Sequence, residues 1–450
     1  MRPLASLIAA VLLAAAPAAR AEDPQAEEAS EARVACTRSV DCARLIHHGS
    51  VCVDDHCAPY EDDLSLLDWI GLGREERGTP PPFVLLPAIL PAVGYNPAMG
   101  ALFGAVGTLG MYLGPAATTT ISSAQAVALY STMNQLTLQL TSTVMSSGNQ
   151  WQLQGDWRFL IFNQKTYGLG TGPQALEAEG LKEDFNLLRL HEFALRRIWG
   201  SLYAGLGYRL DRYYAVQDVN MDLAAPQPVV GPNYAYSLAY GFDPSQYTVS
   251  GAAVQLLYDS RDSTLNPYRG LYGLVAFTVN PTWLGSSRAS TGLEAQFRAY
   301  VPLSADVPRN VLAFWAYFRG STSGATPYLA LPAIGWDAKN RSGRGYLQGR
   351  WRGTQEAYAE AEWRFRITNN GLLGGVVFAN ASSFASPAYA ASGPGWSFTS
   401  DRVGLFQYVR PAGGVGLRFL LNRDSRSNVT LDFAVGERSF GVWFNAGEYF

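Results

Sequence analysis

Charged side chains are scarce in this sequence of 450 residues. Asp, Glu, Lys and Arg make up 16% of it, against about 25% in an ordinary globular protein. Lysine is nearly absent, since Lys165, Lys182 and Lys339 are the only three, and the formal net charge is −3. Nucleic acids and anionic membrane surfaces are bound by clustered Lys and Arg. We therefore expect no nucleic-acid partner and no polybasic membrane contact.

Long hydrophobic runs are also missing beyond the first 21 residues. The most apolar later segment, residues 83–95, contains Pro87 and Pro91 and is shorter than the roughly 20 residues of a spanning helix. Residues 1–21 are predicted to be a signal peptide, because Arg2 precedes a short apolar stretch and Ala19-Arg20-Ala21 resembles a cleavage site. The sequence thus predicts an exported protein without a transmembrane helix.

Cysteine is limited to four residues close together, Cys36, Cys42, Cys52 and Cys57. In an exported chain this grouping predicts two disulfides, and four cysteines allow three pairings. Three histidines at 47, 48 and 56 make zinc the alternative. We predict a periplasmic linker over residues 22–82 with a disulfide-bonded knot at 36–57, and we expect neither a metal nor a cofactor.

Apolar and polar residues alternate with a period of two from about residue 100 onward. Between residues 359 and 367, for example, Trp363 and Phe365 alternate with Glu362 and Arg364. A soluble sandwich would alternate in the same way, but export, charges on one face and a C-terminal Phe favour an outer-membrane barrel. In such a barrel the apolar face meets lipid, the charged face meets the lumen, and closure satisfies every backbone group. We predict this all-β transmembrane barrel over residues 83–450.

Sixteen antiparallel strands are predicted, an even number that puts both ends of the barrel on the periplasmic side. They lie at 100–112, 123–132, 136–146, 150–163, 165–172, 184–197, 201–214, 248–258, 270–281, 290–302, 310–320, 355–367, 372–381, 411–421, 427–436 and 439–450. The segment 184–197 also fits helical spacing, so a plug helix is the alternative there. Residues 78–155 contain no charged side chain, which indicates either a Ser, Thr and Gln lumen wall or first strands able to part from the last one.

Three segments resemble the bacterial surface antigen (Omp85) superfamily, which includes the barrel-assembly insertases and the two-partner-secretion pores. The first resembles the family's periplasmic turn. The second resembles the Arg-Gly-aromatic tip of a long extracellular loop that folds back into the lumen. The third is the closing strand, which resembles the recognition signal of barrel-assembly substrates. The residues that carry these resemblances are Asp259, Arg261, Asp262, Pro267 and Gly270; then Arg344, Gly345 and Tyr346; and finally Phe444 and Phe450.

The resemblance implies how the loop arginine is held. Glu360 and Glu362 face the lumen in the predicted pattern and could accept a hydrogen-bonded Arg344. In the family, an acid on this strand and another on the next strand hold that arginine. The second position corresponds to Asn380, an amide where the family usually has Asp, so we expect a lock weaker by one charge. Residues 22–98 show no POTRA repeat, which places the resemblance with the subgroup that lacks these repeats.

Three functions follow as hypotheses. The first is assisted insertion or translocation of proteins or lipids at the outer membrane of a Gram-negative bacterium, through a seam between the first and last strands. Its partners would be outer-membrane lipid and unfolded outer-membrane or secreted proteins, with assembly by the cell's own machinery. The alternative is a passive or plugged channel. A hydrolase is disfavoured, because His191 beside Glu192 has no identifiable nucleophilic Ser, and we expect no enzyme.

Overall fold

A computed structural model describes residues 50–53, 56–59, 85–96, 99–115, 118–304, 309–338, 340–368, 371–422 and 426–450, the first three ranges as backbone alone. The chain divides into two compact units, residues 1–61 and 62–450. The predicted signal peptide and most of the predicted linker lie outside the described residues. No helix among the described residues is long and apolar enough to cross a membrane.

The first unit contains an antiparallel hairpin of two short strands, β1 (Ser50–Val53) and β2 (His56–Pro59). Cys52 and Cys57 are opposite positions in its register. Cys36, Cys42 and the side chains of the other two cysteines lie outside the described residues. The disulfide knot and its zinc alternative therefore remain predictions.

The second unit is dominated by one antiparallel sheet of sixteen strands. Each strand is hydrogen-bonded to the next in the chain, except that β15 pairs directly with β18 while β16 and β17 form a separate hairpin. The strands are β3 (Leu85–Asn96), β4 (Gly100–Met111), β5 (Ser122–Ser131), β6 (Leu136–Met145), β7 (Trp151–Thr166), β8 (Leu181–Trp199), β9 (Leu202–Asp218), β10 (Tyr247–Asp259), β11 (Gly270–Asn280), β12 (Ser290–Pro302), β13 (Val311–Gly324), β14 (Gln355–Arg366), β15 (Leu373–Ala385), β16 (Tyr389–Gly393), β17 (Trp396–Ser400), β18 (Arg410–Asn422), β19 (Ser427–Gly436) and β20 (Ser439–Ala446).

The predicted number of sheet strands agrees with the structure, although two assignments differ. The strand predicted at 165–172 is wrong: β7 ends at Thr166, and Gly168 and Gly170 have φ of 85° and 81°, which an extended ladder cannot accommodate. A strand that the sequence reading did not include, β3, precedes the predicted first strand. The doubtful segment 184–197 lies inside β8 and is not a plug helix.

The two ends of the sheet differ in the length of the connections between strands. Most of those at one end are short, and we call it the turn end. The opposite end, the loop end, carries the long connections 167–180, 219–246, 325–354 and 386–409, which include helices α1 (Pro173–Glu177) and α2 (Pro232–Tyr240) and the hairpin β16–β17. Tyr236 of α2 packs between Tyr328 and Tyr389, with ring centroids 5.7 and 5.4 Å away. This aromatic cluster covers the interior at the loop end.

The sheet has an apolar outer face and a polar inner face. On β7, Trp157 points outward and is 46% exposed, while the next residue, Arg158, points inward and is 2% exposed. Trp363 and Glu362 of β14 show the same division. A strand sends successive side chains to opposite faces, so the alternation in the sequence becomes this division directly. The polar residues are therefore buried and paired inside, and large apolar side chains are exposed outside.

The first and last strands of the sheet, β3 and β20, lie beside each other, with Cα atoms within 8 Å. The described residues form no backbone ladder between them. Pro87 and Pro91 of β3 lie opposite Leu109 and Ala105 of β4. A proline lacks the N–H that a ladder requires, so within a sheet it occupies positions whose nitrogen points to a free edge. Because the two prolines are four residues apart, both nitrogens point towards β20.

Candidate functional site: a luminal loop held by an arginine

The connection 325–354 between β13 and β14 turns into the interior of the sheet. Two glycines at positive φ flank Arg344 at its tip, Gly343 at 76° and Gly345 at 104°. A Cβ at Gly343 would lie 2.1 Å from the Ile334 side chain, and one at Gly345 would lie 2.7 Å from Cβ of Ala412 on β18. Only glycine fits both the backbone conformation and the space. The loop tip can therefore lie directly against the inner wall.

Arg344 is 1% exposed and surrounded by carboxylates. Its Nη2 donates to Glu360 and Glu362 of β14, and its Nη1 donates to Asp432 Oδ2 of β19 at 2.7 Å. We call Arg344 with these three acids the arginine lock. β15 and β18 lie between the two strands, and Gly416 of β18 leaves room for Asp432, because a Cβ there would lie 1.7 Å from Asp432 Oδ1.

Aromatic rings cover both sides of the Arg344 guanidinium. Its carbon lies 3.5 Å from the ring centroid of Phe378 and 3.9 Å from that of Tyr449. Burial lowers the pKa of Arg344, but the nearby carboxylates of Glu360, Glu362 and Asp432 outweigh that effect and hold its pKa well above the usual value. The Arg344 guanidinium consequently stays protonated in the interior.

Two further arginines share the carboxylates of the lock. Arg364 lies 2.6 Å from Glu362, and Arg418 lies 2.5 Å from Asp432 and 2.9 Å from Glu448. All of these side chains are almost fully buried. Buried charges are tolerated only when each is paired and hydrogen-bonded, because their desolvation costs several kcal/mol per ion. The network therefore fastens the loop, β14, β18, β19 and the C-terminal residues to one another.

Asn380 has a different role from the one the resemblance implies. Its Nδ2 donates to the backbone carbonyl of Arg344 at 2.9 Å, and its side chain makes no hydrogen bond to the guanidinium. The additional carboxylate comes from Asp432, so the guanidinium faces three acids. The alternation of β19 indicates that Asp432 points inward. Its pairing with a residue 88 positions away could not be inferred from local pattern.

Tyr346 binds the loop tip to the backbone of residues 411 and 437. Its hydroxyl donates to the Pro411 carbonyl at 2.6 Å and accepts the Glu437 N–H at 3.1 Å. The ring lies against Gly436, where a Cβ would come within 2.7 Å of it. The sequence motif Arg344-Gly345-Tyr346 is therefore brought together with the strands β18 and β19 near the seam.

The opposite wall holds the loop as well. Arg158 of β7 donates to Asn340 Oδ1 and to the Ala338 carbonyl, each at 2.6 Å. Arg350, further along the loop, donates to the carbonyls of Ala175 and Leu176 in the last turn of α1, at 2.9 and 3.1 Å. The loop thus spans the interior from β7 to β14 and β19.

The C-terminal residues turn inward, which corrects the predicted strand 439–450. β20 ends at Ala446, and Gly447 follows with φ of 88°. Phe450 is fully buried, with its ring centroid 5.3 Å from that of Trp315, and Arg364 donates to its main-chain oxygen at 3.3 Å. Phe444, by contrast, faces outward and is 43% exposed. The outward apolar stripe therefore does not reach the last residue.

The predicted periplasmic turn forms a compact connection at the turn end. Asp259 pairs with Arg261 at 2.7 Å, and Asp262 accepts the Tyr268 N–H at 3.0 Å. Asp262 also binds Arg426, in the connection between β18 and β19, at 2.7 Å. Pro267 is buried. Gly270 has φ of 109°, and a Cβ there would lie 2.4 Å from the Ser260 carbonyl oxygen. Through the Asp262–Arg426 ion pair, this turn contacts the connection between β18 and β19.

His191 faces the interior and lies 3.1 Å from Asp211 Oδ1. Its sequence neighbour Glu192 faces the other way and accepts the indole N–H of Trp157. Arg189 also donates to Asp211, at 2.6 Å. His191 thus lies beside the Arg189–Asp211 ion pair. The described residues contain no group of three His, Cys, Asp or Glu that could hold a metal.

Comparisons with known proteins identify a similarity to a solved structure. No protein-family model matches the chain, and no curated protein matches it. The crystal structure of BamA from Haemophilus ducreyi lacking POTRA domains 1–3 is similar over 83% of this chain and 70% of that one, with 14% sequence identity and a TM-score of 0.47.

Proposed function

We propose that this protein is a closed transmembrane barrel of the Gram-negative outer membrane that assists the insertion or translocation of proteins or lipids. It would act by parting β3 from β20, with its N-terminus in the periplasm. The observation that carries the proposal is the seam, where the two strands lie side by side without a ladder in the described part of the sheet.

The polarity of the sheet supports a membrane location. Exposed Trp, Leu, Val and Phe side chains occupy the outer face of most strands, and buried charged side chains occupy the inner face. A soluble protein would bury the first set and expose the second. Lipid reverses this preference on the outside of a barrel, whose lumen remains polar.

The seam supports an opening mechanism. The nitrogens of Pro87 and Pro91 provide no donor on the edge of β3 that faces β20. The last strand, β20, has only eight residues, the fewest in the described sheet. A free strand edge pairs readily with another chain, which would let an incoming strand add to it.

The arginine lock would keep the rest of the barrel rigid while the seam opens. Asp432 belongs to β19, the neighbour of β20, and Glu360 and Glu362 belong to β14. The Arg344 loop therefore ties the strand beside the seam to a wall several strands away. Opening would then be confined to β20 and β3.

The test is the folding rate of a urea-denatured small outer-membrane barrel into liposomes containing the purified protein. We expect faster folding than in empty liposomes, and loss of that acceleration in Arg344→Ala. Arg438→Ala is the matched control, because it removes an exposed arginine that pairs with Glu177 at 2.6 Å. That variant should retain full acceleration.

Absence of acceleration by protein that is demonstrably folded would contradict the proposal. Steady single-channel conductance in the same preparation would then favour the plugged channel. Equal loss of acceleration in Arg344→Ala and Arg438→Ala would contradict the role assigned to the lock.

A further inference from the structure

The interior of the sheet encloses a cavity of about 670 Å³ beside the luminal loop. Its volume lies within the range of about 300–1,000 Å³ found for small-molecule sites. Two parts of its lining differ in chemistry. One is apolar and comes from β4 and β5. The other is rich in arginine and comes from β8, β9, β12, β13 and the connection between β10 and β11.

Arg298 of β12 is a cation of this lining that has no carboxylate partner among the described residues. It is 7% exposed, and its guanidinium carbon lies 5.0 Å from the ring centroid of Tyr272 and 5.1 Å from that of Trp315. Its single hydrogen bond runs from Nη2 to Gln296 Oε1 at 3.0 Å. Its buried Nε has no partner, and no carboxylate of the described residues lies within 4.0 Å of it.

Five other arginines contribute to the same lining. Arg341 donates to the main-chain oxygen of Glu448, and the other four form ion pairs. Arg189 lies 2.6 Å from Asp211, Arg209 lies 2.8 Å from Glu294, and Arg319 lies 2.5 Å from Glu356. Arg261 lies 2.7 Å from Asp259. A buried cation is costly without an anion, and aromatic faces compensate for only part of that cost. Arg298 is therefore positioned to accept an anion from outside the chain.

The apolar part of the lining is formed by Leu102 and Val106 of β4 and Val127 and Leu129 of β5. Val106 and Val127 are direct cross-strand neighbours. These are inner-face positions, which in the rest of the sheet are mostly polar. β4 is also the neighbour of β3, so the apolar wall lies one strand away from the seam.

We propose that this cavity binds an anionic amphiphile, with its hydrocarbon chain on the apolar wall of β4 and β5 and its anionic head group on Arg298. A fatty acid and a lipid phosphate both consist of an oxyanion joined to an alkyl chain. The oxyanion matches Arg298, and the alkyl chain matches the apolar wall. Entry through the β3–β20 seam rests on the proposed function, whereas the binding itself does not.

The experiment measures binding calorimetrically, with the full-length protein held in an amphipol. The probes are dodecyl phosphate, laurate, inorganic phosphate and uncharged dodecyl maltoside, with the amphiphiles below their micelle concentrations. We expect the two anionic amphiphiles to bind, and Arg298→Gln to weaken them about tenfold or more, because a charge-assisted hydrogen bond is lost. Arg298→Lys should keep most of the affinity. Val127→Gln should weaken the binding of both amphiphiles, although the charge of Arg298 is retained.

The matched control is Arg288→Gln, since Arg288 lies in the connection 281–289 and donates to the Gly241 carbonyl at 3.3 Å. Equal affinity in wild type and Arg298→Gln would overturn the proposal, and so would inorganic phosphate binding as tightly as dodecyl phosphate. A stronger response to laurate or to dodecyl phosphate identifies the head group. Binding without acceleration of barrel folding would contradict the proposed function and leave this site intact.

Discussion

Arg344 shows how a single residue can be buried with its charge intact. Its guanidinium is hydrogen-bonded to acids of β14 and β19 and lies beside two aromatic rings. The carbonyl of the same residue accepts from Asn380. Of its side-chain nitrogens, the buried Nε alone has no hydrogen-bond partner among the described residues. The loop tip is held by side chain and backbone together. The two flanking glycines allow this close approach, because a Cβ at either position would clash with its neighbours.

Asn380 provides a test of that arrangement. We predict that Asn380→Asp destabilises the protein by about 1–3 kcal/mol, since the donor to the Arg344 carbonyl is lost and a carboxylate is placed opposite Glu360. The measurement is urea-induced unfolding in lipid vesicles, followed by tryptophan fluorescence. The resemblance alone implies the opposite sign, because the family usually has Asp at this position.

Asn340→Asp is the matched control for the same change of charge. Its Oδ1 accepts from Arg158, so a carboxylate there should leave the free energy of unfolding unchanged or raise it. If Asn380→Asp proved as stable as the wild type, Asn380 would have no role in holding the loop.

Phe450 is buried and Phe444 lies on the outer face, so substituting each one tests this difference. We predict that Phe450→Ala lowers the free energy of unfolding by about 3–5 kcal/mol, because it leaves a cavity beside Trp315. Phe444→Ala should cost less, since this side chain is on the outer face and its removal opens no internal cavity. Unfolding curves of the two variants under identical conditions give the comparison. A larger loss for Phe444→Ala would contradict the inward C-terminus.

At the scale of the element, β3 is a strand despite its two prolines. Proline is tolerated at a sheet edge, where the missing N–H faces no partner, and excluded from a central strand. The sequence reading treated the prolines only as a barrier to a spanning helix. In the structure they mark the edge at which the sheet is unpaired.

Replacing both prolines tests whether they keep the seam weak. We predict that Pro87→Ala with Pro91→Ala strengthens the contact between β3 and β20, since each new N–H can add a hydrogen bond of about 1 kcal/mol. The double variant should assist barrel insertion more slowly than the wild type in the liposome assay. Pro281→Ala, at a loop-end connection, is the control and should not change the rate. Faster insertion by the double variant would contradict a gate at this seam.

At the scale of the whole molecule, the connection 325–354 closes the interior. Arg158 binds it from one wall, and the arginine lock binds it from the other. The aromatic cluster formed by α2 and β16 lies above it at the loop end. The connection therefore crosses the interior between these two walls.

Shortening this connection should open the interior. We predict that replacing residues 336–348 with a short Gly-Ser linker produces large, steady conductance in planar bilayers, because nothing then crosses the lumen between β7 and β19. Deleting the hairpin β16–β17 should leave conductance low, since the loop still spans the interior. High conductance after the second deletion and not the first would place the barrier in the aromatic cluster.

Much of the sheet could be predicted because alternation is a local property. A period of two assigns each residue to one face, and Trp363 and Glu362 lie on the faces that the pattern indicated. The two misassigned strands are those where glycine or proline interrupts the pattern, at 165–172 and at β3. There the outcome depended on whether the segment was at an edge or in a loop, which composition does not specify.

The face of most strands, the turn glycines and the position of the Arg344 motif follow from the amino-acid sequence alone. Which residues meet inside depends on how the strands are arranged around the interior. Asp432, Glu360 and Arg344 come from separate parts of the chain, and the curvature and register of the sheet bring them together. The inward turn of the last four residues and the unpaired charge of Arg298 were decided in the same way. Each depends on distances across the interior, and a local pattern contains no information about those distances.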